Sequence, residues 1–240
     1  MDIVIPYGGD GESIKYALRS IEKNFDYGNI FIVTDKPCHH LNHKNLFFIN
    51  KGDKHMSNKD ANLFDKVIAA CENGVGEEFI FWSDDQAILR HHNIQYVYNV
   101  RNPLKMIATC KWERRLIRTG MFIKDKVGRE LEFNFDSHVP QVMKRNEFLK
   151  IKNIDYQYGI GFTICTLYFG IAGWSDRELV EQRTVKATFE GGYFNESDTI
   201  NKNWIGWDRF TYERTNVRDF LEIMFPFKSK FEMWKIHVIL

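Results

Sequence analysis

The chain has no excess of either charge: 33 Lys and Arg stand against 32 Asp and Glu in 240 residues. That balance excludes a globally basic nucleic-acid coat and a globally acidic chain, although it leaves room for a local basic groove. Cysteine is scarce. Cys38, Cys71, Cys110 and Cys165 form no C-x-x-C pair, which argues against a structural zinc site and fits a reducing, cytoplasmic compartment. Cys71 closes an apolar helical pattern and Cys165 lies in an apolar run, so both read as small buried hydrophobes. No stretch approaches a membrane-spanning length of uncharged apolar residues. The opening MDIVIPYGGDGE has no basic region and too short an apolar run for a signal peptide. The ending KIHVIL carries no lipidation signal and reads as a last strand or packed tail. G-x-S-x-G, G-x-x-x-x-G-K-[ST], H-E-x-x-H and the kinase signatures are all missing, so hydrolase, P-loop and protein-kinase readings have no support.

What is present is apolar and aromatic. Hydrophobic residues make up 44%, enough for a core without disulfide or metal staples. The 15% aromatic content supplies either that core or stacking surfaces for sugars and bases. Asp2–Pro6 is short and β-branched, and a glycine-rich turn follows it; it reads as a first strand. Ser13–Phe25 repeats apolar residues at helical spacing, with Ser13 as the expected N-cap. Asn29–Thr34, Asn45–Ile49 and Glu78–Trp82 read as strands, and Ala61–Cys71 as a helix. The first ninety or so residues therefore spell β-α-β-β-α-β, which predicts an α/β fold with a mainly parallel sheet flanked by helices.

The second half is less regular. Leu104–Gly120 reads as a basic helix, Glu132–Asp136 as a strand, and Lys144–Ile151 and Arg218–Met224 as helices. Gly159–Gly173 is open to either state. Residues 186–214 read as loops around a site. No repeat, low-complexity tract or linker divides the chain.

Ligands of parallel sheets gather beyond the carboxyl ends of the strands. Three polar clusters fall there: Tyr7–Asp10, Asp35-Lys36 and Asp84-Asp85-Gln86. Adjacent carboxylates at a strand end need solvent, a partner or a cation. A divalent metal carrying a diphosphate would use them; a helix N-cap is the plainer reading. Gly8-Gly9-Asp10-Gly11 is not G-x-G-x-x-G, so it is a tight loop or a weak sign of a dinucleotide site. Asp35 can accept from a base or ribose, or cap a turn before Pro37. Asn62 and Lys66 share one helical face, with Lys59 before them; they can meet a phosphate or simply face solvent. His138, in FDSHVP, is either a metal ligand or proton carrier, or structural. Lys111-Trp112-Glu113-Arg114-Arg115 with Arg118, Lys124-Asp125-Lys126 with Arg129, and Lys228-Ser229-Lys230 are basic. They form either solvated faces or a phosphate-tracking groove.

Ile14–Lys23 (IKYALRSIEK), Asn29–Pro37 (NIFIVTDKP), Lys66–Cys71 and Ser83-Asp84-Asp85 together resemble the Stealth-like sugar transferases. The likeness is greatest to a phage and prophage branch of glycosyltransferases. That branch runs Y-S-L-R-S-L-E-K, I-V-G-E-K-P, K-V-L-x-A-C and N-D-D. His138-Val139-Pro140 matches its His-x-Pro segment, Cys165–Tyr168 loosely matches an apolar run, and Phe225–Glu232 matches its F-P-x-x-S-x-F-E ending. Residues 170–215 match least, and the acidic motif reads Ser83-Asp84-Asp85-Gln86 rather than D-x-D.

The resemblance implies a GT-A-like nucleotide-diphosphosugar fold. Residues 1–100 would bind the donor, and 101–240 the acceptor, within one compact domain. It implies a nucleotide-sugar donor, UDP-sugar favoured, with Mn²⁺ or Mg²⁺ on Asp84, Asp85 and His138. Pro6, Tyr7, Gly8 and Asp35 would wall the base and ribose, with Asn62, Lys66 and Asp84 on the donor. Asp85 would be catalytic through the metal and diphosphate, and Asp136 or Asp208 would be the carboxylate base. Lys111, Trp112, Arg114, Arg115 and Arg118 would meet the acceptor. The expected activity is glycosyl transfer to a hydroxyl, with a hydroxymethylated base in double-stranded phage DNA as first choice. Surface-polysaccharide synthesis by sugar or sugar-phosphate transfer is the alternative. A non-catalytic nucleic-acid-binding module is a third.

Overall fold

The computed structural model describes residues 1–9, 12–36, 38–55, 58–91, 98–100, 107–156, 159–173, 179–181, 186–189 and 194–233. Asp10, Gly11, Pro37 and the ending KIHVIL lie outside the described residues, with the expectations placed on them.

In chain order the elements are β1 (Asp2–Pro6), α1 (Ser13–Asn24), β2 (Ile30–Val33), β3 (Leu46–Ile49), α2 (Lys59–Glu72), β4 (Glu78–Phe81), β5 (Gln86–Ile88) and β6 (Tyr98–Val100). There follow α3 (Lys111–Val127), β7 (Gln141–Lys144), α4 (Arg145–Lys150), α5 (Ile164–Ala172), β8 (Leu179–Glu181) and β9 (Lys186–Phe189). A 3-10 turn at Glu196–Thr199, β10 (Trp204–Trp207), α6 (Arg209–Arg214) and α7 (Val217–Met224) complete the described set.

The main sheet has five strands in the order β3-β2-β1-β4-β7. The first four are parallel, with Ile3 opposite Ile30 and Ile3 opposite Ile80. β7 closes the sheet antiparallel, Phe81 opposite Gln141. The architecture is α/β, mainly parallel and compatible with a Rossmann-like fold. β7 comes from the second half of the chain, so the two halves share one sheet.

Continuous apolar strands are what a sheet covered on both faces requires. Val4, Phe31, Val33, Phe79 and Phe81 pack against α2, α4 and α5 through Phe64, Val67, Phe148 and Leu167. Ile3, Ile5, Ile30, Ile32, Ile80 and Trp82 face the other way, onto Ile14, Leu18 and Ile21 of α1. The outer side of α1 carries Tyr16 into a third cluster with Ala87, Ile205, Trp207, Tyr212 and Phe220. That cluster belongs to a small second sheet, β5-β10-β9. α1 is therefore buried on both sides.

Several boundaries differ from expectation. Glu12, not Ser13, is the N-cap position of α1, and it makes no side-chain cap bond. α2 starts before Ala61 because the Asn58 side chain accepts from Ala61 N at 3.2 Å. The basic helix runs Lys111–Val127, ending on Gly128 at φ 71°. Glu132–Asp136 is not a strand: it runs without regular structure apart from a single bridge at Phe133, and Phe135 N bonds to Thr166 Oγ1 at 3.0 Å. Residues 186–214 are not mainly loops, since β9, β10 and α6 lie there. Gly159–Gly173 resolves as helix from Ile164. Cys38, Cys71 and Cys165 are buried and Cys110 is exposed, all four unbridged. Among the described residues, no helix is long and apolar enough to cross a membrane.

Candidate functional site

Strand order fixes where a ligand would sit. From β1 the chain steps outward to β2 and β3, then returns to place β4 on β1's other side. The reversal falls between β1 and β4, and the crevice beyond their carboxyl ends is the favoured ligand position in such sheets. Tyr7–Gly9 lie on one side of it and Ser83–Asp85 on the other.

The acidic turn is firmly held. Trp82 is fully buried and its Nε1 donates to Gln86 O at 3.2 Å, spanning Ser83–Asp85. Trp207 N donates to Asp85 O at 3.2 Å. Trp82 also meets the Trp204 ring edge-on, centroids 5.2 Å apart. Asp84 and Asp85 are half-buried in this turn. β7 enters the sheet antiparallel at the same edge, so exposed His138, at φ 51°, leads in beside the end of β4. No group of three or more His, Cys, Asp or Glu able to hold a metal occurs among the described residues. Two carboxylates do suit a cation that arrives with its own phosphate oxygens and waters.

Opposite the turn, β1 presents backbone. Pro6 and Tyr7 are buried, whereas Gly8 is exposed, with open space where a Cβ would stand. Lys66, expected on a donor-facing or solvated surface, is instead buried. Its Nζ donates to Tyr7 O at 2.8 Å and pairs with Asp53 Oδ1 at 2.8 Å. Asn62 is buried too, gripping the loop before α2 through His55 N at 2.9 Å and His55 O at 3.1 Å. Both residues shape the rim from beneath.

The rim loops interlock. Tyr7 N donates to Val33 O, Thr34 N to Ile49 O and Lys51 N to Thr34 O, at 3.0, 3.0 and 3.2 Å. Gly9, at φ 79°, lies under Lys36, whose Cγ would be 2.2 Å from an added Cβ. Gly52 lies under Asp35, whose Oδ2 would be 2.7 Å from one. Beyond the ends of β2 and β3 opens a cleft of about 540 Å³ lined by Thr34, Asp35, Lys36, Phe48 and Asn50, with Cys38–Asn42 as the outer wall. Burial pushes the Cys38 thiol pKa up, so it is a poor nucleophile there.

The remaining expected residues disperse. Asp136 is buried, and its oxygens accept from Cys165 N at 3.1 Å, Thr166 N at 3.2 Å and the Thr166 hydroxyl. It caps α5 from outside the helix, and burial raises its pKa although those hydrogen bonds oppose the rise. Asp208 caps α6, accepting from Thr211 N at 2.6 Å. Both carboxylates thus have structural work as caps, and Asp208 directly follows Trp207, whose N bonds to Asp85 O in the acidic turn. On α3, Arg115 Nη1 binds Asp60 Oδ2 at 2.5 Å and Asn58 Oδ1 at 2.9 Å. Arg118 lies over the Phe162 ring at 5.7 Å and against Gly159. These two arginines dock α3 onto the body. Lys111 and Arg114 stay exposed, with Trp112 half-buried between them.

Sequence reasoning missed Asp60. Burial and the Asp136 carboxylate push its pKa up to about 7, against the opposing pull of Arg115. Nothing local signals this, because Asp136 is distant in sequence. Phe48 was also missed: it is 45% exposed at the cleft, where its strand pattern suggested a buried ring.

No known family model matches the chain, and no curated protein matches it either.

Proposed function

We propose that the chain is a glycosyltransferase of GT-A-like fold that moves a sugar from a nucleotide-diphosphate donor to a hydroxyl acceptor. The carrying observation is the sheet edge: a rigid acidic turn faces an open glycine turn across the β1/β4 crevice, with a cleft beside it at β2/β3. The crevice and the cleft are two strand spacings apart, about 10 Å. A nucleoside diphosphate has that reach, with its base in the cleft and its diphosphate at the crevice. Phe48 offers a ring face to the base, and Asp35 an acceptor for its N–H groups.

Transfer requires the leaving diphosphate to be neutralised as the glycosidic bond breaks. A divalent cation held by Asp84 and Asp85, with His138 at the same edge, would supply that charge when bound. The Gly8 backbone, free of side chain, lets phosphate approach the end of β1. Lys66 fixes the Tyr7 carbonyl and so holds that turn in place. The acceptor hydroxyl must arrive in line from the open side of the crevice.

A glycan acceptor, sugar or sugar-phosphate transfer included, suits the observed surface better than duplex DNA. Arg115 and Arg118 are engaged within the fold, which splits the basic stripe on α3 into exposed Lys111 and Arg114 at one end and Lys124 and Lys126, paired with Glu130 and Asp125, at the other. A DNA-modifying enzyme would still show binding that weakens steeply with salt, and a binding module would leave donors intact.

The test is calorimetric titration with UDP, GDP and CDP, with and without Mn²⁺, on the wild type and on Asp84→Asn/Asp85→Asn. We expect micromolar to millimolar binding of one nucleotide, strengthened by Mn²⁺ in the wild type only. No binding of any nucleotide, or equal Mn²⁺ enhancement in the double variant, would overturn the assignment.

A further inference from the structure

The outer wall of the cleft, Cys38–Asn42, is held from the far end of the chain. After α7 the segment 225–233 returns and lies antiparallel along this wall. Asn42 N donates to Phe231 O at 2.7 Å, Met233 N donates to His40 O at 2.8 Å, and Leu41 and Glu232 form a β-bridge. Leu41 and Asn42 themselves line the cleft.

The strap is in turn fastened to α1. Glu232 Oε1 and Oε2 accept from Arg19 Nε and Nη2, each at 2.7 Å. Arg19 Nη1 also donates to Phe225 O at 3.0 Å. Ser229 gives Glu232 Oε1 two more donors, its N at 2.9 Å and its Oγ at 3.1 Å. The two paired side chains are only 11% and 8% exposed, so this is a bidentate pair screened from water. Phe231, fully buried, wedges between Tyr27 and His43 with centroids at 5.7 and 5.3 Å.

We infer that Arg19 and Glu232 are positioning residues for the ligand cleft. Their pair fixes the strap, and the strap holds the Cys38–Asn42 wall at the width that receives the ligand's ring. The ligand's identity as a nucleotide rests on the function proposed above; the mechanical link does not. Arg19 and Glu232 do not line the cleft. Their effect on binding therefore passes through the wall.

The test compares the wild type with Glu232→Gln and with the milder Ser229→Ala, which removes only the hydroxyl donor. Amide hydrogen exchange is read at Asn42 and Met233, with Ile5 and Ile32 as core references. UDP affinity is measured alongside. In Glu232→Gln, Asn42 and Met233 should exchange at least tenfold faster while Ile5 and Ile32 keep their protection, and UDP should bind at least fivefold more weakly. If Glu232→Gln does not fold, Ser229→Ala should show the same local pattern at about a threefold level. Unchanged Asn42 exchange in a folded variant overturns the link. So does exposed Asn42 with UDP affinity unchanged, or a loss of protection that spreads equally to Ile5 and Ile32. If the wild type binds GDP or CDP rather than UDP, affinity is read with that nucleotide; if it binds none of the three, the nucleotide reading fails, and the exchange comparison alone decides whether the pair holds the wall.

Discussion

Replacing Lys66 by Met tests how the rim of the crevice is built. The Lys66 side chain is 4% exposed, and its ammonium makes two contacts at 2.8 Å, to Tyr7 O and to Asp53. A hydrogen bond from a charged donor contributes about 1.5–3 kcal/mol. The Asp53 pair adds at most about 1 kcal/mol, because that carboxylate is 48% exposed. Met keeps most of the apolar stem, so little cavity opens. Removing a buried charge recovers part of its desolvation cost. The net loss should be about 1–3 kcal/mol. With a urea m-value of about 3 kcal/mol/M for a chain of this size, the midpoint should fall by about 0.3–1 M with m unchanged. Tryptophan fluorescence reports the transition, since Trp82, Trp204 and Trp207 are buried. Nucleotide affinity should drop about tenfold as the Tyr7 turn loosens. A midpoint unchanged within error, or raised, would refute the claim that Lys66 fixes the end of β1.

Other expectations follow from single positions. Gly161 stands at φ +84°, and an added Cβ would be 2.1 Å from Asn58 Nδ2 and 2.9 Å from Tyr156 O. Gly161→Ala should therefore cost about 3 kcal/mol or more, while Gly74→Ala, at φ +94° with open space around it, should cost only about 1 kcal/mol, as urea unfolding would show. Gly52→Ala should displace the Asp35 carboxylate and weaken nucleotide binding, with a midpoint shift equivalent to less than about 1 kcal/mol, by calorimetry and unfolding on one sample. Asp60 holds its proton up to about pH 7 when folded, but only to about pH 4 when unfolded. Its contribution thus favours the folded state at low pH and fades as pH rises through that window, by at most about 1.4 kcal/mol per pH unit. The wild type should lose stability relative to Asp60→Asn between pH 4.5 and about 7; a difference that is flat or opposite in sign contradicts the shift.

β1, β2 and β4 were legible because both their faces are buried, which leaves short unbroken apolar runs; β3 was legible from its apolar run although Phe47 and Phe48 are exposed. β10 was not, although it is buried throughout. Its four residues Trp204–Trp207 include a glycine and lie in a Gly- and Asn-rich stretch that imitates a loop. The alternation of Glu132–Asp136 imitated a strand, yet the segment serves to carry Asp136 to the N-terminus of α5. The ends of β1, β2 and β4 were correctly singled out as neighbours, since parallel strands share a carboxyl edge. The burial of Lys66 and Asn62 was invisible, because their partners Tyr7, Asp53 and His55 lie on loops whose path helical periodicity does not encode. Arg19 and Glu232, more than two hundred residues apart, could be joined only by the fold. Lys23 of the same helix donates to Met224 O, so two residues of α1 grip the closing part of the described chain.

The most direct test of the central claim is donor turnover. The protein is incubated with Mn²⁺ and UDP-, GDP- and CMP-sugars, alone and with hydroxymethylcytosine DNA or polysaccharide. Nucleotide release and acceptor mass are then read. The account predicts release from one nucleoside-diphosphate sugar, lost in Asp84→Asn/Asp85→Asn, with a sugar-sized mass gain on the glycan. A gain on the DNA base instead would keep the transfer chemistry and contradict the acceptor assignment. No release from any donor, by a protein that is folded, would contradict the claim that this sheet edge is a sugar-transfer site.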